Sequence, residues 1–173
     1  FAQVLWQRRA ELCEALITQV TLAHAHLSES AENAHIEFSS TRDAGSLFES
    51  LLTVRDEEAR SRSTAFGPHR DDIAMHLNDR DATTFASEGQ QRSFALSMKL
   101  AQARVLQQAR GEAPLMLIDD VFGELDAHRR RALLSLLPNG TQKVITTTHL
   151  DWMGKDDLRG LVHQVAQGEL VPA

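Results

Sequence analysis

Two short runs without charge and with a helical segment between them constrain the fold of this chain more than any other feature. The first run, residues 115–118, is continuously apolar, and the second, residues 144–147, is Val-Ile-Thr-Thr. Each run is typical of a strand that is buried on both faces of a sheet. The segment at about residues 127–137 is predicted to be a helix that ends at Pro138. Strand, helix and strand in this order predict a parallel α/β unit.

The region before this unit is predicted to be mainly helical. Apolar residues recur at three- and four-residue spacing from residue 1 to about residue 29, and a second amphipathic helix is predicted from residue 46 to about residue 60. A third helix is predicted at residues 88–110. Because the character of the chain changes after the second helix, we divide it into a helical arm, residues 1–62, and an α/β head, residues 63–173.

Weaker signals predict three further strands. Residues 35–39 form a predicted short strand within the arm. Residues 73–77 and 82–85 flank a polar turn at residues 78–81, and this pattern predicts a hairpin.

Composition excludes several classes of protein. Hydrophobic residues make up 42% of the 173 residues, which is enough for a packed core. No apolar run approaches the roughly 18–20 residues that span a bilayer. Cys13 is the single cysteine, so we expect no internal disulfide, no cysteine zinc site and a cytoplasmic setting. Since the formal net charge is −6, DNA contact is expected only through a local patch, another part of the protein or a partner.

Asp119 and Asp120 follow the first apolar run directly. Carboxylates at the carboxyl end of a parallel strand lie where α/β sheets place their ligands. One carboxylate there can support Mg²⁺ beside a phosphate, and a second can orient or deprotonate an attacking water. On this segment alone, a solvated turn after a strand explains the two residues equally well.

Three other segments have a possible nucleotide role and an ordinary structural one. Ser87 and Gly89 open the third helix, and a helix start with a hydroxyl and a bare glycine can bind an anion, although it can also be a plain cap. Asp126 follows Glu124-Leu125 and is predicted to cap the next helix. His149 follows the second run and can reach a phosphate or a water, although a lone histidine is more often structural.

These segments, in this order, resemble the signature motif, Walker B strand, D-loop and switch histidine of ABC-type ATPases. The residues of these motifs are similar to those of the RecF family, and the resemblance covers about residues 60–150. The matching segments are residues 67–72, 87–93, 117–126 and 146–149. The resemblance implies an α/β fold, the carboxyl-terminal lobe of an ABC-type ATPase head with an amino-terminal helical arm.

The resemblance also implies roles for individual residues, with ATP and Mg²⁺ as cofactors. Asp119 would support Mg²⁺ through water, Asp120 would stand where many such ATPases carry a catalytic glutamate, and His149 would sense the γ-phosphate. Other residues would contact the ATP of a partner head or lie at the interface between two heads: Ser87, Gly89, Gln90 and Asp126.

The chain lacks a phosphate-binding P-loop of the form Gly-x-x-x-x-Gly-Lys-Ser/Thr. Its one Gly-Lys pair is Gly154-Lys155, where His149 takes the place of the first glycine and Asp156 follows the lysine. In the RecF family the P-loop lies in the amino-terminal half. We therefore expect this chain to need an amino-terminal half that carries Walker A, and to be inactive toward ATP alone.

By resemblance, the function is that of an ATP-gated DNA-binding protein of recombinational repair and replication, linked to the SOS response. It would form a homodimer with ATP, release on hydrolysis, bind double-stranded DNA and its junctions with single strands, and help RecR load a recombinase at gaps on the nucleoid. Two alternatives stay open. One is an SMC- or Rad50-like head of a chromosome-structural or nuclease complex, and the other is a non-enzymatic interaction module.

The segment at residues 67–72 also has two interpretations. His69 and Arg70 stand beside Asp71 and Asp72, which indicates a salt-bridged turn that packs the head together. The alternative is a surface that contacts DNA or the nucleotide. We assign no zinc site, because the histidine spacing matches no zinc motif.

Overall fold

The computed structural model describes residues 1–28, 31–40, 47–150 and 160–172. Its helices are α1 Ala2–Leu27, α2 Leu47–Ser61, α3 Ala82–Phe85, α4 Glu88–Arg110 and α5 Ala127–Leu136. Its strands are β1 Ala34–Ser39, β2 Asp72–Leu77, β3 Arg80–Asp81, β4 Met116–Asp119, β5 Lys143–Thr146, β6 His163–Ala166 and β7 Glu169–Pro172. Two short 3-10 turns occupy Pro68–Arg70 and Val121–Glu124.

Helices α1 and α4 pack against each other and form the centre of the molecule. An antiparallel sheet in the order β1-β2-β3 packs against this pair. Apolar side chains of α1, the sheet and α4 share one core cluster, which includes Val20, Ile36, Leu77 and Phe94. The predicted helices at residues 1–29, 46–60 and 88–110 and the strand at residues 35–39 are confirmed. The division at residue 63 stays a prediction.

The parallel α/β unit is confirmed. Strands β4 and β5 are paired in parallel, with Asp119 opposite Thr146 at their carboxyl ends. Helix α5 lies between them in sequence, and its Leu133 joins Ile118 and Phe122 in a second core cluster. The α/β fold class is therefore established by the strand pair and the helices that pack on it.

The expectation that both apolar strands are buried on both faces is wrong. Met116, Ile118 and Ile145 face the second core cluster. On the other face, Leu117 is 72% exposed, and Val144 is 49% exposed. The reason is that the part of the chain described by the structure supplies packing partners for one face of this two-stranded sheet only.

The predicted hairpin is only partly correct. Strand β2 and the turn are present, but β3 is limited to Arg80–Asp81, and residues 82–85 form the short helix α3. The Asp81 side chain accepts a hydrogen bond from the Thr84 backbone N–H at 2.9 Å and so caps α3. This cap begins a helix at residues 82–85, where the hairpin pattern predicts the returning strand.

Asp71 joins the segment at residues 67–72 to α1. Its side chain is 2% exposed and forms an ion pair with Arg9 at 2.7 Å. The Trp6 indole N–H also donates to Asp71, at 3.0 Å. The interpretation of this segment as a packing element holds for Asp71, although the cation is Arg9 and not a neighbour in the same turn. His69 and Arg70 are exposed and bind the nearby 63–64 segment instead.

The described carboxyl-terminal residues form a hairpin, β6–β7, which was not predicted from the sequence. Its turn contains Gln167 at φ 51° and Gly168 at φ 83°. This left-handed pair is typical of a tight two-residue hairpin turn. No helix within the described ranges is long and apolar enough to cross a membrane.

Candidate nucleotide site

Ser87 caps α4 through a reciprocal pair of hydrogen bonds. The Ser87 Oγ accepts from the Gln90 backbone N–H at 3.3 Å, and the Gln90 Oε1 accepts from the Ser87 backbone N–H at 2.8 Å. This capping box fixes the direction in which the chain enters the helix. Ser87 and Gly89 are exposed, and a Cβ at Gly89 would meet nothing within 4 Å. A bound anion therefore has open access to the positive end of the helix dipole.

Arg92 connects the start of α4 with the turn that follows β4. Its guanidinium lies 3.1 Å from the Glu88 carboxylate and 3.4 Å from the Glu124 carboxylate. All three groups are partly or largely exposed, so each ion pair is individually weak. The arrangement nonetheless places a cation next to Glu88 and so moderates the negative charge that Glu88 brings to the helix start.

Asp119 and Thr146 join the two parallel strands at their carboxyl ends. The Thr146 hydroxyl donates to the Asp119 Oδ1, across the last register pair of β4 and β5. Asp119 is exposed beyond this contact. Its carboxylate is thereby oriented by the neighbouring strand while one oxygen stays available to a ligand.

Asp120 makes the sharp exit from β4. It has φ 49° and ψ 17°, a left-handed conformation that aspartate tolerates better than most residues. Its backbone N–H donates to the backbone oxygen and to the Oγ1 of Thr146, both at 3.1 Å. Bonds from β5 therefore hold both members of the Asp119-Asp120 pair, and the Asp120 side chain is exposed.

The turn after Asp120 is anchored by its apolar residues. Phe122 is fully buried and Leu125 is 4% exposed, so both hold the turn onto the second core cluster. Asp126 caps α5 by accepting from the Arg129 backbone N–H at 2.8 Å, as the sequence predicts. That bond is the main reason that the pKa of Asp126 is lowered below its usual value, and the Arg129 guanidinium lowers it further. Asp126 is therefore ionised at neutral pH.

His149 lies just beyond the carboxyl end of β5, and its side chain is exposed. Its backbone N–H donates to the Thr147 Oγ1 at 3.4 Å, and the same hydroxyl donates to the His149 oxygen at 2.9 Å. The structure thus brings Asp119, Asp120 and the His149 segment to one end of one strand pair. In the described part of the chain, no hydrogen bond or ion pair joins Ser87 to these residues; the link runs through Arg92 and the turn. Gly154-Lys155 lies outside the described residues.

The oxygen ligands at the end of β4 fit Mg²⁺. The Asp119 carboxylate and the Thr146 hydroxyl are hard oxygen donors, and Mg²⁺ commonly takes one or two carboxylates and completes its shell with water and phosphate. Among the described residues, no group of three or more His, Cys, Asp or Glu side chains could hold a metal ion. The Asp119 carboxylate is thus compatible with a Mg²⁺ site whose other ligands would be water and phosphate. Thr146 had no predicted role, because a threonine at a strand end carries no distinguishing signal in the sequence.

A parallel α/β unit with paired aspartates at a strand end, a capped helix start and a histidine after the next strand defines part of an ABC-type ATPase head. Comparison with known proteins agrees with this class. No protein-family model matches the chain. The chain is 39% identical to the DNA replication and repair protein RecF of Symbiobacterium thermophilum over 155 residues, which cover 83% of this chain and 41% of that protein. It is 43% identical to RecF of an Exiguobacterium species over 118 residues, 68% of this chain and 32% of that protein.

Solved structures give the same result. Two structures of the recombination mediator protein RecF in the RecFOR pathway, one described with ATP and one with ATPrS, superpose with a TM-score of 0.76 at 26% identity. The superposition covers 99% of this chain and 47% of each RecF chain. This chain belongs to the RecF family and matches its carboxyl-terminal region. It spans less than half the length of the curated relatives and of the solved chains that it matches.

Proposed function

We propose that this chain is the carboxyl-terminal lobe of an ATP-gated DNA-binding protein of recombinational repair. The observation that carries the proposal is the Asp119-Asp120 pair at the end of β4, held by Thr146 of the parallel strand β5. Membership of the RecF family, two of whose solved structures are described with ATP and ATPrS, supports a nucleotide role for this strand end.

ATP hydrolysis at this end would use three residues of the chain. Mg²⁺, when bound, neutralises charge on the phosphates, and Asp119 would hold one of its waters. Asp120 would orient the attacking water and take up its proton, since its backbone is held at the strand exit by Thr146 and its side chain is exposed. His149 would donate a hydrogen bond to the γ-phosphate from the neighbouring strand end.

The start of α4 would complete the site of a second copy. Ser87 and Gly89 face open space at a helix amino terminus, where backbone N–H groups and the helix dipole favour phosphate. ATP held by one head would therefore join it to the Ser87 segment of another, with Gln90 behind that segment and Asp126 at the interface. Hydrolysis would separate the γ-phosphate and let the two heads dissociate. The bound nucleotide would therefore determine whether the heads are joined, which we call the clamp.

The uncovered face of β4 and β5 supports a missing partner lobe. Leu115 is 54% exposed and Leu117 is 72% exposed, although both lie in or next to a short apolar strand. A two-stranded sheet with an exposed apolar face is marginal by itself. We propose that the amino-terminal half of a RecF head, which would carry Walker A, covers this face and supplies the phosphate-binding loop.

DNA and RecR would be the functional partners of the assembled dimer. The net charge of −6 argues against a large basic surface on this lobe, so DNA would be bound by the assembled protein. The contacts would be mainly with the DNA backbone. The RecFOR context of the solved relatives supports DNA and RecR as partners in general. Within this proposal, the DNA would be double-stranded DNA and its junctions with single strands. The expected location is the cytoplasm, on the nucleoid.

The test mixes this chain with the amino-terminal half of a RecF protein and measures mass by light scattering with and without ATP. The parent pair is expected to double its mass with ATP. Ser87→Arg should prevent this, because a bulky cation would fill the open space at the helix start. Ser61→Arg, at an exposed serine at the end of α2, is the matched control. If both halves are folded and associated but ATP changes nothing in the parent, the clamp proposal fails and an interaction module explains the chain better.

A further inference from the structure

A chain of buried polar groups runs from α1 to the start of α4. His24 on α1 is completely buried, and so is Ser97 on α4. The Nδ1 of His24 lies 3.3 Å from the Ser97 Oγ, and its Nε2 lies 2.9 Å from the Glu32 Oε2. Because a carboxylate only accepts hydrogen bonds, the His24 Nε2 must carry the proton in this contact. His24 thus fixes the position of Glu32, which precedes β1.

Glu32 uses its two carboxylate oxygens on two different parts of the molecule. Its Oε2 accepts from His24 and from the Ser28 hydroxyl at 2.9 Å, both at the end of α1. Its Oε1 accepts from the Gln90 Nε2 at 2.9 Å. Glu32 and Gln90 are 58 residues apart in sequence. Their bond is therefore a tertiary link between the arm and residues 87–93, called here the signature segment.

The Gln90 side chain has a defined orientation because of this link. Its amide has an oxygen and an NH₂ group of nearly equal shape, so a flip changes hydrogen bonding and little else. The acceptor Glu32 requires the NH₂ group on its side, and that leaves Oε1 toward the Ser87 N–H, which it meets at 2.8 Å. The flipped amide would place its NH₂ group against the Ser87 N–H and lose both bonds.

A glutamine at position 90 can make both of these hydrogen bonds, one to the Ser87 N–H and one to Glu32. A glutamate is the other common residue at this position of a capping box and would accept from the Ser87 N–H equally well. It would, however, bring a second carboxylate within hydrogen-bond distance of Glu32, whose side chain is only 11% exposed. Glutamine serves both partners because it accepts at one end and donates at the other.

We propose that Glu32, held by His24, is a positioning residue that sets the Gln90 amide and through it the cap at Ser87. A displacement of the segment before β1 relative to α4 therefore changes the signature segment. The part of this inference that concerns ATP rests on the proposed function, whereas the positioning of Ser87 does not.

The first test swaps the side chains at positions 32 and 90. The variants are measured in the chain assembled with the amino-terminal half of a RecF protein. Gln90→Glu alone should make the Ser87 amide exchange with water roughly three- to tenfold faster, as expected for the loss of about one hydrogen bond. Adding Glu32→Gln should return the rate to near the parent value, because the amide introduced at position 32 can then donate to the new carboxylate. Helix-capping rules alone predict that Gln90→Glu leaves exchange of the Ser87 amide unchanged or makes it slower. Either of those results would overturn the proposal.

The second test uses Glu32→Gln alone, with Glu14→Gln as the matched control at an exposed glutamate of α1. Glu32→Gln should speed Ser87 exchange and weaken ATP-dependent dimerisation roughly threefold or more, while Glu14→Gln changes neither. If the parent dimerises with ATP and Glu32→Gln matches the control in both measurements, the positioning role is wrong and the proposal of ATP-dependent dimerisation is supported. If Ser87 exchange responds but the parent never dimerises with ATP, the positioning role stands and the clamp fails.

Discussion

The two halves of the candidate site differ in how completely this chain builds them. At the start of α4, the Ser87 cap is closed by Gln90, and Arg92 adds ion pairs on one side. At the end of β4, by contrast, Asp119 and Asp120 are exposed and Leu117 leaves one face of the sheet uncovered. The Ser87 segment is thus closed by bonds within this chain, whereas the Asp119-Asp120 end lies on a sheet whose other face the described residues leave uncovered.

The largest expected loss of stability comes from the turn that follows Asp120. Phe122 is fully buried in the second core cluster, so Phe122→Ala should lower the free energy of unfolding by about 3–5 kcal/mol. Denaturant unfolding measures this loss. Phe85→Ala removes the same ring from a position that is 67% exposed and should stay within about 0.5 kcal/mol of the parent. Equal losses for the two variants would contradict the packing described for the turn.

Asp119→Asn should separate catalysis from stability. In the assembled pair it is expected to lower the rate of ATP hydrolysis about 100-fold, because the ligand charge for Mg²⁺ is lost. The unfolding midpoint should hardly change, since Asp119 is exposed. The matched control is Asp56→Asn, at an exposed aspartate of α2, which should keep full activity. Unchanged hydrolysis in Asp119→Asn would remove Asp119 from the site.

Leu117→Glu tests whether the open sheet face meets the amino-terminal half. Burying a leucine side chain contributes about 1.5–3 kcal/mol, so the substitution should weaken association of the two halves at least tenfold. The chain itself should stay folded, because Leu117 is 72% exposed. Leu52→Glu, at a position on α2 that is 51% exposed, provides the comparison. If titration of one half with the other gives equal affinities for both variants, another surface holds the halves together.

Asp126→Ala should have the smallest effect, about 1 kcal/mol, as is usual for the loss of a helix cap. The pKa of Asp126 is lowered in the folded chain, chiefly by the Arg129 N–H bond, so its stabilisation is complete above the ordinary pKa of 3.8. It is lost as the pH falls below that value, because protonation then favours the unfolded chain. Asp126→Asn keeps a capping acceptor and should lose this pH dependence. A pH profile of stability identical to that of the parent would contradict the assignment.

Sequence was sufficient where the determining residues lie close together in the chain. Helix α4 follows its prediction at residues 88–110, since Ser87, Gln90 and the C-cap Gly111 act locally at its ends. The meeting of Asp119 with the segment before His149 was also predictable, because parallel strands align their carboxyl ends. The signals at the ends of α4 are local, whereas the meeting of the two strand ends follows from the rule that a strand, helix and strand unit is parallel.

Sequence was insufficient where the outcome depends on distant or competing partners. The exposure of Leu117 reflects how many layers cover the sheet, which an apolar run does not encode. Residues 82–85 form a helix that the Asp81 side chain caps, and the hairpin pattern of the sequence did not anticipate that cap. The bond between Glu32 and Gln90 joins residues that have no motif in common, so only the fold reveals it.

The most direct test of the incomplete nucleotide site is calorimetric titration of Mg²⁺-ATP into this chain alone and into the chain assembled with the amino-terminal half of a RecF protein. We expect no measurable binding to the chain alone, since it has no P-loop, and clear binding to the assembled pair. Micromolar ATP binding to the chain alone would contradict the claim that its nucleotide site is incomplete.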